Sequence, residues 1–299
     1  MPPRIRISLP AQTLELRDER GDLLRRYSVS TALNGAGEEA GSHCTPRGRH
    51  LVRARIGSGM PANTVFRGRR PTGELWTPQL ARQHPDRDWI LTRILWLSGA
   101  EPGRNRLGPQ DTMRRYIYLH GAPDDAPVGT PGSHGCVRMR NADIIELFDR
   151  VPAYTRVDID DFGIEPGDWE KLGLAARSVR EAVFVVEQGV PRELELDAND
   201  SRSRHVVARD AFGTPIGTGR LLPDGHIGRM AVLSSWRGQG VGRALLERLL
   251  DEAGAAGMSS LALNAQVQAC DFYRKFGFVE VGAEFIEAGM AHRAMRRQA

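Results

Sequence analysis

The amino-terminal half of the chain contains short segments in which apolar and polar residues alternate, a pattern typical of half-buried β-strands. These segments comprise residues 5–9, 13–16, 23–31, 50–56, 90–97 and 116–120. One helical pattern follows, which we expect to begin with Asn141 as its N-cap, and a last strand is expected at residues 156–159. The pattern predicts a mostly-β unit with a small helical part.

The pattern changes near residue 160, after which helical and strand segments alternate. A helix is predicted over residues 169–188, and strands are predicted near residues 206–209, 215–222 and 226–232. A glycine-rich turn then opens an amphipathic helix, followed by a strand at 261–266 and a short helix over 269–278. This order predicts an α/β fold. We therefore expect two domains, residues 1–160 and 161–299, joined by a short junction at 160–167.

The chain has 299 residues, 41 basic and 37 acidic, and a formal net charge of +4. Lys171 and Lys275 are the only lysines, so arginine carries nearly all of the positive charge. The sequence contains no block of about five or six like charges and no basic segment with interleaved aromatic residues. This distribution argues against nucleic acid as a partner.

The beginning of the chain alternates arginine with isoleucine and lacks the apolar stretch of about 7–15 residues that export signals contain. The most apolar stretch, residues 89–97, is interrupted by Thr92 and Arg93. We therefore expect a cytoplasmic protein without a membrane partner. The sequence does not indicate an oligomeric state.

The three cysteines, Cys44, Cys136 and Cys270, are odd in number and form no C-x-x-C pair. We therefore expect neither a disulfide framework nor a metal site. Cys44 and Cys270 carry no accompanying motif. Cys136 is different, because candidate catalytic groups surround it in the sequence.

Cys136 follows Ser133, His134 and Gly135 directly, and His120 lies sixteen residues upstream at the end of a predicted strand. A thiolate forms near neutral pH only beside a base or positive charge, and an imidazole can supply that base. Gly135 leaves room for backbone N–H groups to approach a developing oxyanion. This combination predicts a cysteine nucleophile with His120 as its partner.

These residues, together with the downstream Arg138, resemble the signature of the YkuD-type L,D-transpeptidases. The resemblance extends over about residues 4–159 and includes the elements Thr45-Pro46-Arg47-Gly48 and Tyr118-Leu119-His120-Gly121. It implies a β-sandwich or barrel that acts without a cofactor on a muropeptide or stem tetrapeptide.

The resemblance also implies residue roles. Cys136 would attack the carbonyl on the L-centre of diaminopimelate and expel D-alanine, with His120 as the general base. His134 and Gly135 correspond to positions that line the oxyanion and acyl site.

Two further residues are candidates for substrate binding. Ser133 belongs to the motif, and Arg138 is a cation that could hold a substrate carboxylate. With water as the acyl acceptor the enzyme would be a cytosolic L,D-carboxypeptidase of murein recycling, which we expect. With an amine as the acceptor it would be a cross-linking L,D-transpeptidase, which is the alternative.

In the second half, a glycine-rich turn lies between a predicted strand and an amphipathic helix. Glycines before a helix N-terminus let backbone N–H groups and the helix dipole meet a pyrophosphate. The turn consists of Arg237, Gly238, Gln239, Gly240, Val241 and Gly242.

Together with the strand at 261–266 and the Tyr273 segment, this turn resembles a GNAT N-acetyltransferase of the ElaA-like subgroup. The match runs over about residues 161–299 and includes the segments 180–188, 219–221 and 228–232. By this resemblance residues 237–242 hold the pyrophosphate of acetyl-CoA, and Tyr273 protonates the leaving thiolate. The backbone of Met230, Ala231 and Val232 pairs with pantetheine, and Asn264 contacts cofactor or intermediate.

Other assignments in the second half stay open. The general base could be Glu187, His226 or Asp197, and the amine acceptor is not indicated. A non-catalytic reading, in which this half only binds acetyl-CoA or serves as an interaction module, is the alternative to acetyl transfer.

Overall fold

A computed structural model of the protein describes residues 3–195 and 198–298. The chain divides into two compact units, one formed by Met1–Asp18 and Leu24–Asp161 and the other by Glu19–Leu23 and Phe162–Ala299. None of the helices in these described residues is long and apolar enough to span a membrane.

The first unit is built around one sheet with two short helices. The helices are α1 (Pro78–Gln83) and α2 (Asn141–Arg150). The strands are β1 (Arg4–Ser8), β2 (Thr13–Arg17), β3 (Leu23–Ser28), β4 (Gly48–Ile56), β5 (Thr64–Arg67), β6 (Arg70–Leu75), β7 (Ile90–Gly99), β8 (Tyr118–Gly121), β9 (Val137–Met139) and β10 (Arg156–Asp160). Their order is β3-β2-β1-β10-β4-β7-β5-β6, and β8 pairs with both β7 and β9.

The core of this unit lies between the sheet and α2. The alternating apolar residues of β1 and β2 form one buried cluster, and Ile144, Leu147 and Phe148 of α2 pack into it. This spacing of three and four residues is the apolar face that the sequence predicts for the helix. The hairpin of β5 and β6 and the helix α1 were not expected from the sequence. All three elements are short, with four to six residues each, and do not show a clear apolar pattern.

The expected N-cap role of Asn141 is wrong. Arg140 is the N-cap residue and Asn141 is the first residue of α2, with no side-chain cap. Instead the buried amide of Asn141 donates to Asn63 Oδ1 at 2.8 Å and to Asp124 Oδ1 at 3.1 Å, and its Oδ1 atom accepts from Thr92. Tertiary hydrogen bonds therefore outweigh the local capping preference of asparagine.

The second unit has a seven-stranded sheet in the order β11-β12-β13-β14-β15-β17-β16. Its strands are β11 (Phe162–Gly167), β12 (Arg204–Asp210), β13 (Pro215–Leu221), β14 (His226–Val232), β15 (Ser260–Gln266), β16 (Val279–Glu287) and β17 (Met290–Gln298). Its helices are α3 (Trp169–Arg180), α4 (Arg192–Glu195), α5 (Val241–Ala255) and α6 (Cys270–Arg274). Among the described residues of this sheet, β14 and β15 are the one pair that runs parallel.

Three features of this unit differ from the sequence-based expectations. The expected junction at 160–167 is largely strand β11, which pairs antiparallel with β12. The helix predicted over 169–188 is α-helical to Arg180 and continues as a π-helix over Glu181–Glu187. The hairpin of β16 and β17 was not expected. Cys270 is buried in the core beside α5, in line with a packing role.

Both units thus have the predicted class. The first is a mostly-β structure with a small helical part, and the second is a mixed sheet with packed helices.

Candidate active sites

The parallel strands β8 and β9 organise the site of the first unit. Leu119 lies opposite Val137 and His120 opposite Arg138. Leu119 and Val137 are fully buried in the core. Because successive side chains of a strand point to opposite faces, His120 and Arg138 lie on the other face of the sheet.

Cys136 directly precedes β9, and its sulfur contacts the backbone on either side of Ile117. The N–H of Tyr118 donates to Cys136 Sγ at 3.4 Å, and the thiol donates to the carbonyl of Tyr116 at 3.5 Å. Burial raises the pKa of the Cys136 thiol to about 12. The hydrogen bond from the Tyr118 N–H acts in the opposite direction, because it favours the thiolate, but its effect is smaller. The thiol is therefore protonated at rest and needs a base when it reacts.

His120 is almost fully buried. Its Nδ1 atom lies 2.8 Å from the carbonyl oxygen of Gly121. A carbonyl only accepts, so Nδ1 carries the proton and Nε2 carries the lone pair. Burial lowers the pKa of His120, which keeps the ring neutral near neutral pH. The imidazole is thus in the form that can accept a proton. Cys136 packs against the cluster that contains Tyr118, and Tyr118 lies two residues from His120 on β8, hence on the same face.

The turn before Cys136 is held by hydrogen bonds to the backbone. Ser133 Oγ donates to the carbonyl of Cys136 at 2.5 Å and accepts from the N–H of Gly135 at 3.2 Å, while Thr45 Oγ1 donates to the Gly135 carbonyl at 3.0 Å. Gly135 has φ +124°, and an added Cβ would lie 3.2 Å from the carbonyl oxygen of Cys44. Only glycine fits this conformation without strain.

Arg138 is not a free cation. Its guanidinium donates to Asp88 Oδ1 at 2.7 Å and to the carbonyl of Gly132 at 2.9 Å. His134, whose side chain is 68% exposed, places Nδ1 3.9 Å from Asp88 Oδ2. Asp88 therefore links two residues of the motif, although no sequence pattern marks it.

A second arginine lies on aromatic rings beside Cys136. The guanidinium carbon of Arg69 is 4.3 Å from the ring centre of Trp96 and 5.0 Å from that of Tyr116. Arg69 also donates to the hydroxyl of Tyr118 at 3.4 Å. The strained backbone of Tyr116, with φ +58°, carries both its ring and the carbonyl that faces the thiol.

A third arginine, Arg115, makes hydrogen bonds to the backbone of the loop that contains Cys44. Arg115 donates to the carbonyls of Glu38 at 2.7 Å and Cys44 at 2.6 Å. The Cys44 thiol donates to the carbonyl of Asn34 at 3.4 Å. Cys44 thus contributes its backbone to the surroundings of Gly135.

In the second unit, strand β14 separates from β15 after two registered pairs, His226 with Ala262 and Ile227 with Leu263. Further along, Ala231 and Val232 still pair with β13 on their other edge. In the described residues, the edge of Met230, Ala231 and Val232 that faces away from β13 has no strand partner. Such an edge can bind an extended ligand through its backbone groups.

The glycine turn leads directly into α5. Gly238 and Gly240 have φ +74° and +92°, and Gly240 is the N-cap residue. Nothing lies within 4 Å of a Cβ added at Gly238. Gln239 folds back and donates to the carbonyl of Ser235 at 2.7 Å, and Val241 is buried. A Cβ at Gly242 would be 3.8 Å from Val232.

Arg237 faces Glu187. Its guanidinium donates to both carboxylate oxygens of Glu187 at 2.7 Å, and its Nε donates to the carbonyl of Val232 at 3.0 Å. The hydrogen bonds from Arg237 lower the pKa of Glu187, which weakens it as a base. The guanidinium therefore lies at the end of β14, engaged with an acidic side chain.

A cavity of about 440 Å³ opens beside β14. Burial raises the pKa of Tyr273 to about 12 and lowers that of His226. Asn264 donates to Glu287 Oε2 at 3.0 Å. Asp197, the third candidate base, lies outside the described residues. The lining includes Met230, Tyr273, His226, Asn264, Glu287 and His292.

A smaller cavity of about 270 Å³ shares residues with the first, including Gln188 and Glu287. Its remaining lining is largely apolar, with Val190, Leu194 and Met290. The larger cavity therefore carries the polar side chains, including His226, and the smaller one is mainly apolar.

A buried ion network supports this region. Arg180 pairs with Glu195 and donates to Asp200 at 2.9 Å. Arg220 also donates to Asp200, at 2.8 Å, and it lines the larger cavity. The network joins α3 to β13 beneath the cavity. Such pairs are stable only when each charge is matched, as it is here.

A family model of the L,D-transpeptidase catalytic domain, YkuD, matches residues 2–159. The chain belongs to the YkuD family. A model of the GNAT acetyltransferase domain matches residues 159–299. Both resemblances expected from the sequence are confirmed, and the protein combines a YkuD domain with a GNAT domain.

Three relatives of this YkuD–GNAT protein each match one half of the chain. The "Uncharacterized N-acetyltransferase YjcF" of Bacillus subtilis is 42% identical over 123 residues, covering 40% of this chain and 87% of that protein. The "Probable L,D-transpeptidase ErfK/SrfK" of Salmonella typhimurium is 34% identical over 113 residues, covering 32% of this chain and 37% of that protein. The crystal structure of Escherichia coli ElaA is 27% identical, with 46% of this chain and 99% of ElaA covered and a TM-score of 0.42.

Sequence reasoning missed several residues of both domains. In the YkuD domain, Asp88, Arg69 and Arg115 reach the Cys136 region from distant segments. In the GNAT domain, Glu287 and His292 come from β16 and β17, which the sequence did not predict. The alternating pattern of residues 279–287 was the signal that could have placed Glu287 at a strand end.

Proposed function

We propose that the protein is a bifunctional enzyme with domains at residues 1–160 and 161–299. The YkuD domain cleaves the L,D-amide bond between diaminopimelate and D-alanine of a peptidoglycan stem tetrapeptide, with Cys136 as the nucleophile. The observation that supports this most strongly is the contact of Cys136 Sγ with the N–H of Tyr118 on β8, the strand that also carries the neutral His120.

The proposed reaction begins with a neutral thiol and a neutral imidazole. His120 Nε2 takes the thiol proton as Cys136 Sγ attacks the carbonyl carbon, and the negative charge moves to the carbonyl oxygen. Backbone N–H groups of the turn serve as oxyanion donors, apart from that of Gly135, which already donates to Ser133 Oγ. Collapse forms the thioester, and the departing D-alanine nitrogen takes the proton from the imidazolium. His120 then activates a water, whose attack regenerates the thiol and releases the tripeptide.

We propose water as the acyl acceptor, which makes the YkuD domain an L,D-carboxypeptidase. Incubation with a disaccharide-tetrapeptide and mass spectrometry tests this. Loss of one D-alanine supports hydrolysis, whereas a cross-linked dimer supports the transpeptidase alternative. Cys136→Ala is the control, and turnover by that variant would overturn the assignment of the nucleophile. A cytoplasmic location stays a prediction of the sequence.

We propose that the GNAT domain transfers an acetyl group from acetyl-CoA to an amine. Three features fit this cofactor: the open edge of Met230–Val232, the unobstructed backbone of the turn at Gly238, and the adjoining cavity of about 440 Å³. The open edge would hold the pantetheine arm, and the turn with the start of α5 would hold the pyrophosphate. When bound, acetyl-CoA supplies an activated acetyl thioester.

The chain's own residues would move the protons. Tyr273 keeps its phenolic proton because burial raises its pKa to about 12, so its Oη can donate within the cavity. His226 is the base that we propose, since burial lowers its pKa and leaves the ring neutral. Glu187 is less suited, because Arg237 already occupies both of its oxygens.

Release of CoA thiol in the presence of an amine panel tests the GNAT proposal. The panel should include diaminopimelate peptides, amino sugars and alkyl amines. Amine-dependent thiol release supports catalysis. Tight binding of acetyl-CoA without thiol release would support the alternative, a binding or interaction module.

A further inference from the structure

Three arginines contact residues of the Cys136 site, and they differ in what their guanidinium groups bind. Arg138 pairs with Asp88 at 2.7 Å and also donates to a backbone carbonyl. Arg115 is half-buried and donates to the carbonyls of Glu38 and Cys44. Both cations are therefore engaged with acceptors of the protein itself.

Arg69 is the exception. It lies at the tip of the β5–β6 hairpin, and no acidic side chain within residues 3–195 and 198–298 pairs with it. Its contacts are the faces of Trp96 and Tyr116 and the hydroxyl of Tyr118. A guanidinium stacked on rings is fixed in orientation, and it keeps N–H donors at its edge besides the one that Tyr118 accepts.

Tyr116 and Tyr118 contact both Arg69 and the sulfur of Cys136. The N–H of Tyr118 and the carbonyl of Tyr116 both contact Cys136 Sγ, at 3.4 and 3.5 Å. The side chains of the same two tyrosines contact Arg69. Two residues therefore contact both groups, with their backbone against the nucleophile and their side chain against the guanidinium.

We propose that Arg69 binds the terminal carboxylate of the substrate and thereby selects peptides that end one residue after the cleaved bond. This inference rests on the proposed L,D-peptide cleavage. One residue spans about 3.3–3.6 Å of extended chain, so the terminal carboxylate of such a peptide follows closely on the reacting carbonyl and has to be bound near Cys136. Planar guanidinium and carboxylate groups match in bidentate geometry.

Arg138 was the sequence-based candidate for this role. Binding a substrate carboxylate there would require Arg138 to share its charge with Asp88 or to release it. Arg69 has no carboxylate to release, and its stacked guanidinium loses little freedom when it binds. The structure thus favours Arg69 as the anchor.

Binding and turnover can be measured separately. In full-length protein carrying Cys136→Ala, affinities are measured for a stem tetrapeptide with a free D-alanine carboxylate and for its C-terminal amide. We expect the acid to bind about 10–100-fold more tightly than the amide, the range for a charge-assisted bidentate contact. Adding Arg69→Gln should reduce this preference to about one, whereas adding Arg70→Gln on the same hairpin should preserve it.

The outcomes are distinguishable. An acid preference that survives Arg69→Gln, or the lack of any preference before that change, overturns the inference. Arg69→Lys keeps the charge and should retain part of the preference, which guards against an Arg69→Gln variant that folds poorly. Release of D-alanine by the unaltered enzyme is measured independently, so failure of the cleavage proposal appears there and not in the binding ratio.

Discussion

The backbone N–H of Tyr118 donates to Cys136 Sγ at 3.4 Å, from a strand that also carries His120 two residues further on. An N–H donor stabilises a thiolate, yet burial outweighs it and raises the pKa of the thiol to about 12. The geometry therefore describes a nucleophile that is deprotonated during attack rather than one that is stored as a thiolate.

Replacing His120 by glutamine should reduce kcat/KM for tetrapeptide cleavage by about 10²–10⁴-fold, since no other base is proposed for the thiol.

In the unaltered enzyme, activity should fall as the pH drops through the pKa of His120, because the protonated ring cannot accept a proton. Burial lowers that pKa, so the acid limb should lie below the usual histidine value of 6.5. A pH–rate profile checks this; an acid limb above 6.5 would contradict it.

The motif around Cys136 could be predicted because its chemistry is local in the sequence. Ser133 to Arg138 are contiguous, and His120 ends a strand whose alternation is visible. Asp88 and Arg69 could not be found in this way, because a hairpin and a loop bring them to Cys136 from some fifty to seventy residues away. Neither segment has a periodic pattern that places its side chains.

The same distinction explains the error at Asn141 and the pairing of Arg237. Local preference predicts that asparagine before an apolar helix caps it, but partners from distant loops satisfy the Asn141 amide. The glycine turn was visible in the sequence, whereas the bidentate partner of Arg237, Glu187, lies fifty residues earlier. Contacts between distant segments depend on the packed fold, which the pattern alone does not specify.

Gly135→Ala should lower the free energy of unfolding by about 1–3 kcal/mol, because a side chain is strained at φ +124° and approaches the carbonyl of Cys44. Cleavage activity should fall with it, since the turn positions Cys136. Gly132→Ala is a matched control three residues away, where an added Cβ meets nothing within 4 Å. Denaturant unfolding compares the two; equal stabilities would contradict the strain argument.

Asp88→Asn should make the Cys136 thiol easier to ionise. The negative charge of Asp88 raises the pKa of Cys136, while Arg138 lowers it. Removing the Asp88 charge leaves that of Arg138 unopposed, so iodoacetamide should alkylate Cys136 faster at a fixed alkaline pH. Peptide mapping separates this site from Cys44, and Asp86→Asn provides an exposed control. An unchanged or slower rate at Cys136 would argue against this electrostatic link.

In the GNAT domain, His226→Gln and Glu187→Gln distinguish two candidate bases. We expect His226→Gln to lower kcat about 10²-fold or more with a small change in KM for acetyl-CoA, because the neutral imidazole is lost from the cavity. Glu187→Gln should leave kcat within about threefold, because Arg237 lowers the pKa of that carboxyl and occupies both its oxygens. The reverse ranking, measured by CoA release, would assign the base to Glu187.

Tyr273→Phe should slow acetyl transfer about 10–100-fold, because the proton donor is removed. Binding of acetyl-CoA should be nearly unchanged, because the ring itself is kept and still packs near Phe272 and Phe278. Burial raises the pKa of Tyr273 to about 12, so the phenol stays protonated through the alkaline range and its loss of a proton should not limit kcat below about pH 10. CoA-release kinetics with calorimetric measurement of acetyl-CoA binding separate the two effects, and Tyr154→Phe in the YkuD domain is the control. Equal rates for Tyr273→Phe and the unaltered enzyme would remove Tyr273 as the acid, and a matching loss of binding would make its role structural.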